Sequence, residues 1–132
     1  MKLKICIVVG KHYNDAADDL IKGATSLLDK YKKFEIISDY GPSNTFSGMF
    51  KEFADRDTSL RKHELEYKVL HAPGVFEIPL LISINIKKYN AFIALGCVIK
   101  GETPHFDFIS SAAINGIMDL SIKHEMPIMN GI

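Results

Sequence analysis

The sequence predicts an α/β domain in which a parallel sheet is covered by helices on both faces. The first observation is that β-rich apolar runs alternate along the chain with segments of helical periodicity, the order expected for parallel strands joined by crossover helices. The second is that the strongest strand candidates, residues 3–9 and 91–99, are nearly continuous apolar runs. Such runs are typical of strands that are buried on both faces.

A helix and two short strands follow the first strand. Apolar residues at helical spacing over 17–31 predict an amphipathic helix, with Asn14 or Asp15 as its N-terminal cap. Brief β-rich runs at 34–37 and 67–70 predict short strands, and an Ala-Pro-Gly turn stops the second one.

Two more helices and a last strand complete the pattern. Residues 76–88 predict a helix in which Pro79 must lie in the first turn, because a proline further along would break the helix. A Thr-Pro pair opens a helix over 103–123, with the threonine as cap. The apolar residues at 127–132 predict a strand, so that residues 1–132 form a single domain.

Composition and charge limit the classes of function. The chain has 16 basic and 16 acidic residues, which indicates neither a nucleic-acid partner nor a membrane partner and gives little protection against self-association. Cys6 and Cys97 lie in apolar runs, as free thiols of a cytoplasmic protein do. We expect no signal peptide, and no apolar run approaches the roughly 20 residues of a membrane helix.

The candidate ligand site follows from the predicted sheet. Ligands of such sheets bind beyond the carboxyl ends of the strands, here the loops at 10–14, 71–77 and 100–105. The third loop leads into a helix start, whose free N–H groups and dipole favour a phosphate, and His105 is suited to proton transfer near neutral pH. The alternative is a solvated turn in which Thr103 caps the helix and His105 is a surface residue.

Other familiar sites are not indicated. The sequence has no glycine-rich dinucleotide fingerprint, no P-loop and no zinc-ligand spacing. His105 and Asp107 could ligate a metal, but two ligands on one helical turn are weak evidence. We therefore expect no metal site.

Four segments, in order along the chain, match motifs of a known family. They are Ile7-Val8-Val9-Gly10 with Tyr13-Asn14, Ala72-Pro73-Gly74-Val75-Phe76-Glu77-Ile78-Pro79, Gly96-Cys97-Val98-Ile99-Lys100-Gly101-Glu102-Thr103-Pro104-His105-Phe106-Asp107, and Met126-Pro127-Ile128-Met129-Asn130-Gly131-Ile132. Together they resemble lumazine synthases, which carry Pro-Gly-Ala-Phe-Glu-Ile-Pro and a strand followed by Arg/Lys-Gly-Glu/Ala-Thr-x-His.

The resemblance implies a flavodoxin-like three-layer α/β/α sandwich with a four-stranded parallel sheet. It implies a transferase that condenses 5-amino-6-(D-ribitylamino)uracil with 3,4-dihydroxy-2-butanone 4-phosphate to 6,7-dimethyl-8-ribityllumazine, the penultimate step of riboflavin biosynthesis. No metal or organic cofactor is implied. The implied assembly is a pentamer or a larger shell, with active sites between neighbouring subunits.

The resemblance also implies roles for residues on the pyrimidine side of the site. Tyr13 would stack on the pyrimidine ring, where the alternative is packing at the edge of the sheet. Val75, Phe76 and Glu77 would line the ribityl chain, with Glu77 accepting hydrogen bonds from its hydroxyls. Without the family, Glu77 is a carboxylate that the helix N-terminus favours. The implied uracil ligands are the backbone groups of Cys97, Val98 and Ile99, whose side chains would pack in the core.

The remaining implied roles concern the phosphate and the protons. Gly101, Glu102 and Thr103 would hold the phosphate with Lys100 nearby, unless Lys100 is only a solvated charge. His105 would transfer protons during imine formation, phosphate loss and ring closure. Asn130 would reach towards the ring from the neighbouring subunit.

The chain departs from the family pattern in two places. The stretch at about 39–66 is an insertion to which the sequence assigns no role, although Phe46, Met49, Phe50 and Phe53 could form one helical face. The chain ends at Ile132, before the family's C-terminal arginine for the phosphate, so we expect a truncated or incomplete sequence. Three hypotheses remain open: an active lumazine synthase, a catalytically weak binding or assembly module of the same fold, and an unrelated flavodoxin-like ligand-binding domain.

Overall fold

A computed structural model describes residues 2–35 and 62–132 of the chain. In chain order its elements are β1 (Lys2–Gly10), α1 (Asn14–Lys30), β2 (Lys33–Glu35), β3 (Lys62–Ala72), a 3₁₀ helix (Val75–Glu77), α2 (Ile78–Asn85), β4 (Ala91–Leu95), α3 (His105–His124) and β5 (Ile128–Gly131). Strands and helices alternate as the sequence predicts.

The strands of the described ranges form one sheet in the order β2-β3-β1-β4-β5. Neighbours among β3, β1, β4 and β5 pair in parallel, which confirms the predicted four-stranded parallel sheet. The short β2 adds an antiparallel strand at the β3 edge, a pairing that the sequence pattern did not predict.

The core lies on both faces of the sheet, with β1 at its centre. On one face Cys6 and Val8 pack with residues of α2 and α3. On the other face Ile5, Ile7 and Val9 pack with residues of α1. All five of these side chains are fully buried, so the nearly continuous apolar run indicated two-sided burial correctly.

Several predicted boundaries need correction. The predicted strand at 91–99 ends at Leu95, because its register with β1 stops at Val9 and its register with β5 stops at Gly131. Residues 96–100 continue beyond the edge of the sheet with no strand assignment. The predicted strand at 67–70 is longer and covers Lys62–Ala72.

The predicted helix caps are wrong. Asn14 is already the first residue of α1, and Tyr13, in the cap position, makes no side-chain cap hydrogen bond. Pro104 holds that position for α3, also without a side-chain cap, since Thr103 lies one residue too early. Pro79, by contrast, lies in the first turn of α2 as predicted.

The central stretch of the chain is only partly described. Within the predicted insertion at about 39–66, residues 62–66 belong to β3. The other residues of this stretch, including the predicted helical face around Phe46, lie outside the described residues, as do residues 36–37 of the strand predicted at 34–37. Among the helices that are described, none is long and apolar enough to cross a membrane.

Candidate active site

A cavity of about 380 Å³ opens at the carboxyl edge of the sheet. The parallel strands β1, β3 and β4 end at this edge, and the cavity lies among the segments that follow them, next to the start of α3. It is lined by His12, Tyr13, Pro73, Gly74, Val75, Phe76, Glu77, Cys97, Val98, Ile99, His105 and Ile109. The position beyond the strand ends is the one that the fold class predicts for a ligand.

The first wall of the cavity comes from the loop between β1 and α1. The Lys11 N–H donates a hydrogen bond to the Ala72 carbonyl at 2.9 Å, and the Tyr13 carbonyl accepts one from the Ala17 N–H at 2.9 Å. Tyr13 keeps 37% of its surface exposed, which leaves its ring available to a ligand. The structure thus places Tyr13 in the cavity wall.

The second wall is the turn that leads into the 3₁₀ helix. Val75 is buried in the core below the cavity, whereas 57% of the Phe76 surface is exposed. Glu77 is the last residue of the 3₁₀ helix, and its exposed carboxylate lies in the cavity lining. The strand-turn-helix motif therefore presents one apolar and one acidic side chain to a ligand.

The third wall is the extended segment after β4. Cys97 and Val98 are partly buried, and Val98 packs against the core. Ile99 is 58% exposed. Because β4 ends at Leu95, the backbone of residues 97–99 lies beyond the sheet ladder, and its amide and carbonyl groups can bind a ligand.

The two cysteines differ in their surroundings. Both are free. Burial raises the pKa of the Cys6 thiol to about 11, and a hydrogen bond to Tyr89 and the nearby Lys68 charge offset this only in part. Cys97, in contrast, is partly buried and lines the cavity.

His105 closes the cavity at the start of α3. It is the first residue of that helix, its side chain is exposed, and Ile109, one turn later, lies beside it in the lining. The imidazole therefore reaches the same space as Tyr13, although 92 positions of sequence separate them.

The predicted phosphate-binding residues do not line this cavity. Lys100, Gly101, Glu102 and Thr103 are exposed in the segment that precedes α3. A Cβ on Gly101 would meet no atom within 4 Å, so the turn is open to solvent. Their predicted role is not tested by the described residues and stays a prediction.

Asn130 also lies outside the lining. It belongs to β5, and its Oδ1 accepts a hydrogen bond from the Ile132 N–H at 3.1 Å. Its predicted reach into a neighbouring subunit's site stays a prediction.

Sequence reasoning missed four lining residues as functional candidates: His12, Pro73, Gly74 and Ile109. His12 was within the candidate loop at 10–14, but only its neighbour Tyr13 was assigned a role there. Ile109 could have been found from its position one helical turn after His105.

Two further findings concern other sites in residues 2–35 and 62–132. No group of three or more His, Cys, Asp or Glu side chains there could hold a metal ion. A second cavity, of about 630 Å³, is lined by Lys4, Ile5, Glu66, Tyr67, Lys68, Lys88 and Tyr89. It contains none of the predicted site residues.

Comparisons with known proteins agree with the motifs. The profile of the 6,7-dimethyl-8-ribityllumazine synthase family matches residues 42–132. The 6,7-dimethyl-8-ribityllumazine synthase of Vesicomyosocius okutanii subsp. Calyptogena okutanii is 33% identical over 138 residues, which cover 99% of this chain and 65% of the relative. That of Methylobacterium nodulans is 32% identical over 136 residues, covering 98% and 58%. That of Buchnera aphidicola subsp. Baizongia pistaciae is 48% identical over 66 residues, covering 48% and 42%.

These alignments show how much of its relatives' length the chain spans and which cavity-lining residues lie within the matched region. The chain spans 58–65% of the length of the first two relatives. The profile match includes every cavity-lining residue except His12 and Tyr13, and the near-complete alignments with these two relatives extend the similarity over most of the remaining chain.

Proposed function

Because the chain belongs to the 6,7-dimethyl-8-ribityllumazine synthase family, we propose that it catalyses the formation of 6,7-dimethyl-8-ribityllumazine. The substrates are 5-amino-6-(D-ribitylamino)uracil and 3,4-dihydroxy-2-butanone 4-phosphate, and the products are 6,7-dimethyl-8-ribityllumazine, phosphate and water. This step is the penultimate one in riboflavin biosynthesis.

The observation that carries the proposal is the composition of the cavity. Three segments far apart in sequence, around Tyr13, Val75–Glu77 and residues 97–99, line one space together with His105. These are the residues that the family motifs assign to the pyrimidine substrate and to proton transfer. A cavity formed by chance would not be expected to collect all of them.

The pyrimidine ring is proposed to lie against Tyr13. Its partly exposed ring offers a face for offset stacking on a flat heteroaromatic ligand. The backbone N–H and C=O groups of residues 97–99, which extend beyond the sheet ladder, supply the donors and acceptors that a uracil edge requires.

The ribityl chain is proposed to run along the second wall. Phe76 provides apolar surface, and the Glu77 carboxylate accepts hydrogen bonds from sugar hydroxyls. A hydrogen bond to a charged acceptor is stronger than one between neutral groups, so Glu77 is assigned the larger share of ribityl recognition.

The phosphate is proposed to bind at the exposed turn of Gly101, Glu102 and Thr103, with Lys100 beside it. The turn leads into α3, whose N-terminal dipole favours an anion. Because Gly101 has no atom within 4 Å of its Cβ position, a phosphate can approach the backbone there. This arrangement would hold the sugar phosphate next to His105.

The proposed reaction requires few protein groups beyond these binding residues and His105. The 5-amino group of the pyrimidine is itself the nucleophile and attacks the ketone, so no covalent enzyme residue is required. Holding the two substrates in register accounts for much of the rate enhancement. His105 takes up and returns the protons as water leaves, phosphate is eliminated and the second ring closes. No metal or organic cofactor takes part.

Self-association into pentamers or larger shells is part of the proposal. Apolar side chains are widely exposed on the described surface: Phe76 57%, Leu80 64%, Ile84 64%, Ile99 58%, Phe108 69%, Met118 57% and Ile122 69%. Exposed apolar surface on this scale is typical of an interface. Since Phe76 and Ile99 border the cavity, a neighbouring subunit that covers them would complete the site, with its Asn130 directed towards the ring.

The cellular setting is proposed to be the cytoplasm. The free thiols of Cys6 and Cys97 suit a reducing compartment. The balanced charge of the chain supports small molecules and copies of itself as partners, and neither nucleic acid nor membranes.

The proposed function is tested by incubating the purified protein with both substrates. We expect lumazine and phosphate to form in a one-to-one ratio, faster than in buffer, and omission of either substrate to abolish both products. Phosphate release without lumazine would indicate a phosphatase and would exclude the proposal.

A further inference from the structure

The second cavity, of about 630 Å³, lies at the other end of the sheet from the candidate active site. Lys4 contributes to it from the start of β1, and Lys88 and Tyr89 contribute from the loop just before β4. The register of β3 with β1 brings Glu66 level with Lys4. Small-molecule sites typically enclose roughly 300–1,000 Å³, so this cavity has room for a second, separate ligand.

The wall that carries Lys88 and Tyr89 is fixed to β1. The Asn90 N–H donates a hydrogen bond to the Lys4 carbonyl, and the Lys4 N–H donates one to Asn90 Oδ1, each at 2.8 Å. The partly buried Tyr89 ring meets the buried Phe92 ring edge to face, with the centroids 5.7 Å apart. These contacts hold the wall in place, so that it is preformed for a ligand.

The β3 side of the cavity is open to solvent. Side chains alternate between the two faces along a strand, and the register pairs Lys4 with Glu66 and Cys6 with Lys68. These four residues therefore share the face on which Cys6 packs with α2 and α3. Cys6 is fully buried, whereas Lys68 is exposed. A ligand can thus enter beside the helices, next to the Lys68 ammonium group.

The lining carries an excess of positive charge. It contains three lysines, Lys4, Lys68 and Lys88, and a single carboxylate, that of Glu66. The Glu66 carboxylate already pairs with Lys2 at 3.2 Å and with Lys4 at 3.8 Å. Among the described residues, neither Lys68 nor Lys88 forms an ion pair. Two ammonium groups of the cavity are therefore left for an anion.

We propose that this second cavity binds a phosphate monoester of a small organic molecule, with Lys68 and Lys88 at the phosphate and the organic group against Tyr89. Such a phosphate carries a charge of about −1.5 to −2 at pH 7, which matches two lysines, and lysine binds phosphate as a point charge. The cavity is much larger than a bare phosphate, and the Tyr89 ring offers apolar surface to the rest of the ligand. The inference does not depend on the proposed function.

Calorimetry on the full chain at low ionic strength tests the ligand class, with adenosine 5′-monophosphate (AMP) as the probe. Adenosine lacks the charge, inorganic phosphate lacks the organic group, and succinate carries two separated charges instead of one compact dianion. We expect AMP to bind more tightly than each of these three compounds. Added salt should weaken AMP binding, because it screens the lysines.

Charge variants test the location. Lys68→Met and Lys88→Met should each weaken AMP about three- to tenfold, the effect of losing one charged donor at a site open to water. Glu66→Gln should strengthen AMP binding about two- to fivefold, because it removes a negative charge and releases Lys4. Changes of opposite sign cannot come from a general loss of structure. Lys87→Met is the control, an exposed lysine next to Lys88 but outside the lining, and it should match the wild type.

The other outcomes overturn the inference. AMP that binds no more tightly than adenosine, inorganic phosphate or succinate would contradict the ligand class. An equal loss in Lys87→Met and Lys88→Met would show only diffuse attraction to a basic surface. A loss in Lys100→Gln as large as that in Lys68→Met would place the phosphate at the turn before α3. Each of these results would leave the proposed function standing, since that function concerns the cavity at the carboxyl edge.

Discussion

Gly10, the last residue of β1, packs directly against the backbone of Val75 at the start of the 3₁₀ helix. A Cβ on Gly10 would lie 2.9 Å from the Val75 nitrogen and 2.9 Å from the Gly74 carbonyl carbon. Real Cβ atoms do not approach backbone atoms this closely, so only glycine fits. This contact sets the spacing between two walls of the cavity, the one that carries Tyr13 and the one that carries Glu77.

Gly10→Ala should therefore destabilise the protein and distort the cavity. Inserting a methyl group against fixed backbone costs about 1–3 kcal/mol, and we expect that loss in the free energy of unfolding, together with weaker pyrimidine binding. Denaturant unfolding and calorimetry measure the two effects. The matched control is Gly23→Ala in α1, where a Cβ meets no atom within 4 Å. A helical Gly→Ala change there should add about 0.5–1 kcal/mol to the free energy of unfolding. Equal changes in stability in the two variants would contradict the close contact at Gly10.

The two cysteines should differ in reactivity. Burial raises the pKa of Cys6 to about 11, so at pH 8 almost none of it is the reactive thiolate. Cys97 is partly buried and borders the cavity. Titration with a thiol reagent should show one thiol that reacts fast and one that reacts slowly. The fast reaction should be absent in Cys97→Ser. In the wild type, addition of the proposed lumazine product should slow it. Equal rates, or no protection by the product, would argue against the described cavity.

Glu77→Gln should selectively weaken binding of the proposed pyrimidine substrate. Removing a charged acceptor of hydrogen bonds costs about 1.5–3 kcal/mol, or roughly ten- to a hundredfold in affinity. Calorimetry should show this loss for the ribitylated pyrimidine and none for a pyrimidine that lacks the ribityl chain. Asp119→Asn, at an exposed position of α3, serves as the control. If both pyrimidines weaken equally, Glu77 contacts the ring or only supports the turn.

Assembly should depend on the apolar surface of α2. Ile84 is 64% exposed there, and Ile84→Asp should shift the oligomer towards smaller species in sedimentation velocity. Leu27→Asp is the control, because Leu27 is 54% exposed on α1, which packs on the opposite face of the sheet. A wild-type protein that remains a monomer at high micromolar concentration would contradict the proposed assembly.

Much of the fold could be predicted because hydrophobic periodicity reports burial. The run at 3–9 indicated a strand buried on both faces, and β1 is the central strand. Exact ends depend on partners that lie far away in sequence. The strand at 91–99 stops at Leu95 because β1 and β5 provide no further pairing, and no local pattern records where a neighbouring strand ends.

The site could be predicted from motifs to the extent that each motif follows a strand. Tyr13, Glu77 and His105 lie in one cavity because the strands that precede them end at one edge. His12 was missed because its place in the cavity wall depends on which way the loop turns. The path of the loop is fixed by hydrogen bonds on either side of His12, from the Lys11 N–H to the Ala72 carbonyl and from the Ala17 N–H to the Tyr13 carbonyl, contacts that only the folded chain supplies.

The turnover of His105→Ala, measured beside the wild type with both substrates saturating, tests the central claim most directly. If His105 transfers protons in this cavity, its loss should lower the rate of lumazine formation about ten- to a thousandfold, within or below the usual contribution of a general acid–base. A residual rate should remain because the substrates are still positioned, and His124→Ala should match the wild type. An unchanged rate in His105→Ala would show that His105 is only the first residue of α3 and that the reaction does not depend on this site.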